Sequence, residues 1–241
     1  RILIATGIYP PDIGGPADYS KRMFDQLVAR KYQADVIVFS RLLKYPPLIR
    51  HIIYFLKILN ASRKFDVILL TDSFSAGVPT WLASKISHTP YVLRIPGDWV
   101  WEQSYQRWGV IDLLDNFLAQ KYSAKIEYFR KLQSKVALSA AQIIVPSEYL
   151  KHVAEKWGAA SEKIKVIYNV VPFPADRPSR IEARKKFNIA DDEIILFSSG
   201  RAVPWKGFKM LENLQLMIRT KFSKAKIIAG TFPKEVYELW L

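Results

Sequence analysis

The stretch IILFSSGRAVPWKGFKML, residues 194–211, decides how the rest of the chain is read. Ile194, Ile195, Leu196 and Phe197 are continuously apolar and β-prone, as in a strand buried on both faces. Ser198, Ser199 and Gly200 break that run with small residues that let a backbone turn sharply. Arg201 and Lys206 follow, with Pro204 and Trp205 between them. Beyond Gly207, the residues Phe208, Leu211, Leu214 and Met217 or Ile218 recur at helical spacing. A strand, a turn bearing two cations and a helix N-terminus suit a diphosphate, because helix N–H groups, the dipole and both side chains converge on one anion. Spacing alone leaves the alternative open that Arg201 and Lys206 are solvated loop cations.

Upstream, the same alternation repeats. Residues 2–5, 35–40, 67–70, 91–95, 143–145 and 165–168 read as strands. Helical patterns lie between them at 17–30, 48–59, 76–86 and 112–142, and another begins after Ser147, a good N-cap. Such β-α alternation describes a parallel sheet covered by helices. Residues 172–178 hold three prolines and no periodic pattern, which predicts a boundary between a first lobe, 1–174, and a second, 175–241. A short basic helix is expected at 181–187, a further strand at 225–229 and the start of a helix at 235–241.

Two loops at strand ends stand out. After the first strand, Gly14 and Gly15 permit close approach of a ligand to the backbone, at the place where doubly wound folds bind phosphates. The G-x-G-x-x-G dinucleotide fingerprint is not there, which argues against a nicotinamide enzyme. After the fourth strand comes Pro96-Gly97-Asp98, with Glu102 beyond, so Asp98 reads either as a carboxylate facing substrate or as a turn cap.

With 36 Lys and Arg against 22 Asp and Glu, the net charge of +14 predicts an anionic partner without choosing it: phosphorylated substrate, lipid headgroups or nucleic acid. There are no cysteines, and the three histidines, His51, His88 and His152, are scattered, so thiolate and zinc-type metal sites are not expected. From residue 41 to residue 64 the chain carries six cations and no acid, interleaved with a broad apolar helical face. That segment reads as a helix covering the sheet or as a basic-apolar patch for an anionic interface. The oily run 48–59 is too short and too charged to span a bilayer.

The run Gly200-Arg201, four residues, Lys206-Gly207 resembles the donor-phosphate motif of retaining GT-B glycosyltransferases of glycosyltransferase family 4. The segment YPPDIGGPADYSKRMFDQL, residues 9–27, is similar to that family's first loop and helix, and VPSEYL and KVIYNVV are similar to its later strand-helix and strand-linker segments. The resemblance implies a GT-B fold: a Rossmann-like parallel sheet with helices on both faces, followed by an incomplete second Rossmann-like lobe. It implies that Arg201 and Lys206 hold the diphosphate of a nucleotide sugar, that Gly14 and Gly15 approach it from the acceptor lobe, and that Asn169 is a hinge. It implies retaining, metal-independent transfer to a sugar or lipid-linked acceptor, with no cofactor, in cell-envelope polysaccharide or glycolipid synthesis. Many family members place a histidine near residues 97–98; Gly97 and Asp98 stand here instead, so any acceptor-orienting role would pass to Asp98.

The family's later pair of glutamates, eight positions apart, has no place in this sequence, and a full second lobe would need on the order of 100 more residues, so a fragment is expected. Lying cytoplasmic, with peripheral contact to the inner face of an anionic membrane, is the expected setting. The competing reading is a non-catalytic basic module for anionic membrane or polymer, either nucleic acid or acidic glycan; no specific nucleic-acid motif supports it.

Overall fold

The computed structural model describes residues 1–170, 176–200, 203–231 and 236–237. They form two compact units, Arg1–Asn169 and Val170–Leu241. The division falls five residues before the expected boundary at 174, and most of the proline-rich linker, 171–175, lies outside the described residues.

The first unit runs β1 (Ile2–Thr6), α1 (Gly15–Ala29), β2 (Ala34–Val38), α2 (Pro47–Ser62), β3 (Val67–Leu70), α3 (Gly77–Ser87), β4 (Tyr91–Arg94), α4 (Trp99–Arg107), α5 (Leu114–Ala119), α6 (Ala124–Leu138), β5 (Gln142–Val145), α7 (Glu148–Lys156) and β6 (Ile164–Val166). All six strands are parallel, in the order β2-β1-β3-β4-β5-β6. The chain moves outward from β1 to β2, then crosses back to β3, so the strand order reverses between β1 and β3.

Alternation within each strand sorts the core. Leu3, Ala5, Ile68, Leu70, Tyr91, Leu93, Ile143 and Val145 point to one face and pack with Tyr54 and Ile58 of α2, Ala83 of α3 and Val136 of α6. On the opposite face α1 covers β1 and β2, burying Ile4 and Ala17. Helices therefore pack on both faces of a Rossmann-like sheet. Because both faces are dry at its centre, the strands β1 and β3 are almost wholly apolar rather than alternating, which is why they were legible as short oily runs.

Several boundaries differ from expectation. The helical region expected at 112–142, with a break allowed, divides into α5 and α6, and its last residue, Gln142, opens β5 instead. Residues 99–107, where no element was expected, form α4, started by the Asp98 carboxylate accepting from the Trp101 amide. Ser147 caps α7 as expected, its hydroxyl accepting from the Leu150 amide at 3.2 Å.

The second unit contains α8 (Arg180–Lys186), β7 (Ile194–Gly200), α9 (Phe208–Lys221), β8 (Ala225–Thr231) and β9 (Val236–Tyr237). A capping box starts α8: Ser179 accepts from the Glu182 amide, and Glu182 accepts from the Ser179 amide. β7 and β8 are parallel, and β9 pairs antiparallel with β8. The helix expected from residue 235 is thus a strand at Val236–Tyr237, where a β-branched and an aromatic residue add to an open sheet edge. The call on Arg201 and the ends of that C-terminal segment lie outside the described residues.

Cover in this unit is partial. Ala225 and Ile227 are buried, but Phe197 is 68% exposed, and Ile194 and Leu196 of the same strand are also open. Local stability follows packed apolar surface. Amide hydrogen exchange of the chain is therefore expected to be slow in β1, β3, β4 and β5 and markedly faster in β7 and β8. Equal protection in the two units would contradict this packing.

Candidate functional site

In a parallel sheet with both faces covered, polar groups collect at the carboxyl ends of the strands, and a ligand crevice opens where the strand order reverses. Here that place lies between β1 and β3. Thr6 ends β1, Thr71 follows β3, and Ser20 projects from α1; all three are buried. Thr71 Oγ1 donates to Thr6 Oγ1 at 2.8 Å, Ser20 Oγ lies 3.1 Å from the same oxygen, and Thr6 Oγ1 donates to the Ile8 carbonyl at 2.8 Å. This hydroxyl cluster ties α1 to the two strands beside the glycine loop.

The loop is shaped by what glycine alone permits. Gly14 has φ 151°, and a Cβ there would sit 3.2 Å from Ile8 Cδ1. Gly15 has open space around the position a Cβ would take, so its backbone is accessible. At the end of β1, Gly7 packs directly on Asp72: a Cβ on Gly7 would sit 2.6 Å from Asp72 Oδ2. Asp72 cannot easily yield, because its Oδ1 accepts from the amides of Phe74 and Ala76 at 2.8 and 3.0 Å. Burial pushes its carboxyl above the usual range, opposed by these amides.

Arg94, the last residue of β4, was not singled out from the sequence. Its guanidinium lies 3.8 Å over the ring of Tyr19 on α1, and Nη2 donates to Asn169 Oδ1 at 2.7 Å. The residue is buried, and its Nη1 has no hydrogen-bond partner among the described residues. Burial lowers the guanidinium pKa, and the charge it senses is the Tyr19 phenol rather than a carboxylate. The available signal was a lone cation in the otherwise apolar run YVLRI. Asn169, expected as a hinge residue, is the last residue of the first unit and is held by this arginine.

Asp98 occupies a different position from the one expected of a substrate-facing carboxylate. It is 2% exposed, with Oδ1 accepting from the Trp101 amide at 2.9 Å and Gln133 Nε2 at 3.0 Å, and Oδ2 accepting from Trp157 Nε1 at 3.1 Å. Gln133 Oε1 in turn accepts from the Val100 amide at 3.2 Å. The carboxylate joins the start of α4 to α6 and to the end of α7. Burial raises its pKa, and its three donors pull the other way. The turn-cap reading is the one this geometry carries, and the family histidine has no counterpart in it.

In the second unit, β7 leads to a 3-10 turn at Pro204–Lys206, then to Gly207 at φ 72° and α9. The left-handed Gly207 lets the chain enter the helix directly from the turn. Lys206 is exposed just ahead of that helix; Arg201 is outside the described residues.

A Rossmann-like lobe with its polar groups at the switch point, followed by a strand-turn-helix bearing a cation, defines a GT-B type fold with the beginning of its second lobe. The profile of Glycosyltransferase Family 4 matches residues 13–173, and the chain belongs to that family. Curated protein sequences give no match. Among solved structures it is similar to Anabaena Alr3699/HepE in complex with UDP and glucose, at 18% identity and TM-score 0.61, over 96% of this chain and 61% of that one. It is also similar to UDP-GlcNAc 2-epimerase from Neisseria meningitidis bound to UDP-GlcNAc, at 12% identity and TM-score 0.55, over 98% of this chain and 67% of that one. The chain thus spans about three-fifths of the length of the Anabaena protein.

The Asp98 network makes a direct prediction. Asp98→Ala leaves three buried donors unpaired, at about 1–3 kcal/mol for each orphaned group and less than additively. A thermal melt should show a large loss of stability, with Asp98→Asn intermediate because its amide nitrogen must face one of those donors. An Asp98→Ala melt equal to the parent's would contradict an architectural role.

Proposed function

We propose that the protein transfers a sugar from a nucleoside diphosphate sugar to a sugar or lipid-linked acceptor, retaining the anomeric configuration and using no metal or cofactor. The observation that carries this reading is the strand-turn-helix from β7 to α9, with Lys206 and the helix N-terminus together, in a chain belonging to glycosyltransferase family 4. Solved structures of similar fold hold UDP, UDP-glucose or UDP-GlcNAc. In this mechanism Lys206 and Arg201 offset the charge that builds on the departing diphosphate, a role that fixed cations fill without reorganisation at the moment of reaction. Amides at the start of α9 add partial positive charge to the same oxygens.

The first lobe serves the acceptor. Its exposed backbone at Gly15 lies in the loop that follows the carboxyl end of β1. Arg94, whose Nη1 is unmatched, is the group there best suited to an anionic part of the substrate. Asp98 acts only through the shape it gives this edge. The net charge of +14 would equally suit a non-catalytic module for an acidic polymer, but neither the strand-turn-helix nor the family membership follows from charge.

Arg201→Ala and Lys206→Ala should each lower turnover by about 10²–10³, the range for losing one preorganised charge-stabilising group. Chelation of divalent metal should leave turnover unchanged, and the product should keep the donor's anomeric configuration. Both alanine variants transferring sugar at the parental rate would overturn the assignment.

A further inference from the structure

α2 is packed inside out on its free side. Its inner face buries Tyr54, Ile58 and Ser62. A helix that only covers a sheet presents polar side chains on the opposite face. Here that face carries Leu48, Ile52 and Leu56 at successive i, i+4 positions, 74%, 50% and 54% exposed, with Ile49 beside them at 47%. The neighbouring helix α3 packs against α2 and exposes Leu82 and Ile86, also four apart. Two adjoining helices thus turn large aliphatic side chains outward, which marks an interaction surface.

Within the two segments that carry this apolar face, charge has one sign. Residues 41–64 hold Arg41, Lys44, Arg50, Lys57, Arg63 and Lys64 without an acid, and residues 73–97, which include α3, add Lys85 and Arg94 and again no acid. Arg41, Lys44, Lys57, Arg63, Lys64 and Lys85 are exposed. Tyr45 and Trp81 stand among them, with Lys44 and Lys85 ammonium groups 5.3 and 4.7 Å from the respective ring centres.

We infer that the outer face of α2, with the exposed edge of α3, docks on an anionic lipid bilayer. A nucleic acid would satisfy the cations and leave the aliphatic stripe in water. An apolar protein partner would cover the stripe and leave the cations unmatched. The headgroup boundary of an anionic membrane accommodates both, with aliphatics among the upper acyl chains and cations at the lipid phosphates. Among the described residues no helix is long and apolar enough to cross a membrane, so α2 would lie in the interface plane. The inference rests on α2 and α3 alone and does not depend on the transfer reaction.

Sedimentation with lipid vesicles tests it. The chain should bind vesicles containing phosphatidylglycerol, bind pure phosphatidylcholine far more weakly, and release as salt is raised. Lys57→Glu and Lys64→Glu should each weaken binding by at least about fivefold, given the contribution of a single surface cation. Replacing Leu48, Ile52 and Leu56 together by Ser should weaken it further while lowering the melting temperature only modestly, because these side chains are half or more exposed and the main cost is the lower helix propensity of Ser. Absence of binding to phosphatidylglycerol vesicles at low salt would overturn the inference, as would unchanged binding in both the Glu and the Ser variants. A parent that dimerises in solution, with a monomeric triple-Ser variant that still binds vesicles fully, would also overturn it, because the face would then be an interface between copies.

Discussion

Everything in the first lobe depends on one constraint: its central strands are dry on both faces. A strand such as β1 or β3 has no room for a polar side chain until the sheet ends, so Thr6, Thr71 and Arg94 all fall at or just beyond a strand's carboxyl end. The same constraint explains why the hydroxyls of Thr6, Ser20 and Thr71 bond to one another and, through Thr6, to the Ile8 carbonyl, since a buried hydroxyl without a partner would be costly. The strand order reverses between β1 and β3, the place where ligands bind in such sheets, and Gly7 there leaves room for the buried Asp72.

Asp98 shows the same logic taken further. A carboxylate with almost no exposure is tolerable because three donors from separate parts of the chain meet it. It holds the start of α4 against α6 and the end of α7, so the edge of the sheet near β4 has a defined shape before any ligand arrives. Arg94 is the contrasting case: a buried cation with an aromatic face and one amide oxygen, but no carboxylate among the described residues. That imbalance suits an anionic substrate group, whereas the balanced Asp98 network suits architecture.

Much of the fold was legible because short apolar runs bounded by turn residues are what a doubly covered parallel strand writes into sequence. The strand-turn-helix around Lys206 was legible for the same reason, and its Gly207 falls where a left-handed residue is needed. What sequence could not show were contacts made at long range. Asp98 at a strand's end looks alike as a cap or as a catalytic group, and only Gln133 and Trp157, 35 and 59 residues away, separate the two. Helix α4 was hidden because Pro96 and Gly97 announce a loop, although the N-cap came immediately after them. In α2 the apolar residues were visible, but which of them faced outward depended on Tyr54 and Ile58 taking the inner side. β9 was misread because two residues carry too little pattern to tell strand from helix.

The central claim is that a nucleoside diphosphate is held at the turn between β7 and α9. Titrating UDP against ¹⁵N-labelled protein, and following the amides of residues 203–210, tests it most directly. Saturable shifts centred on Lys206, Gly207 and Phe208, lost in Lys206→Ala, are the predicted result. Unmoved amides at that turn under saturating UDP would contradict the account.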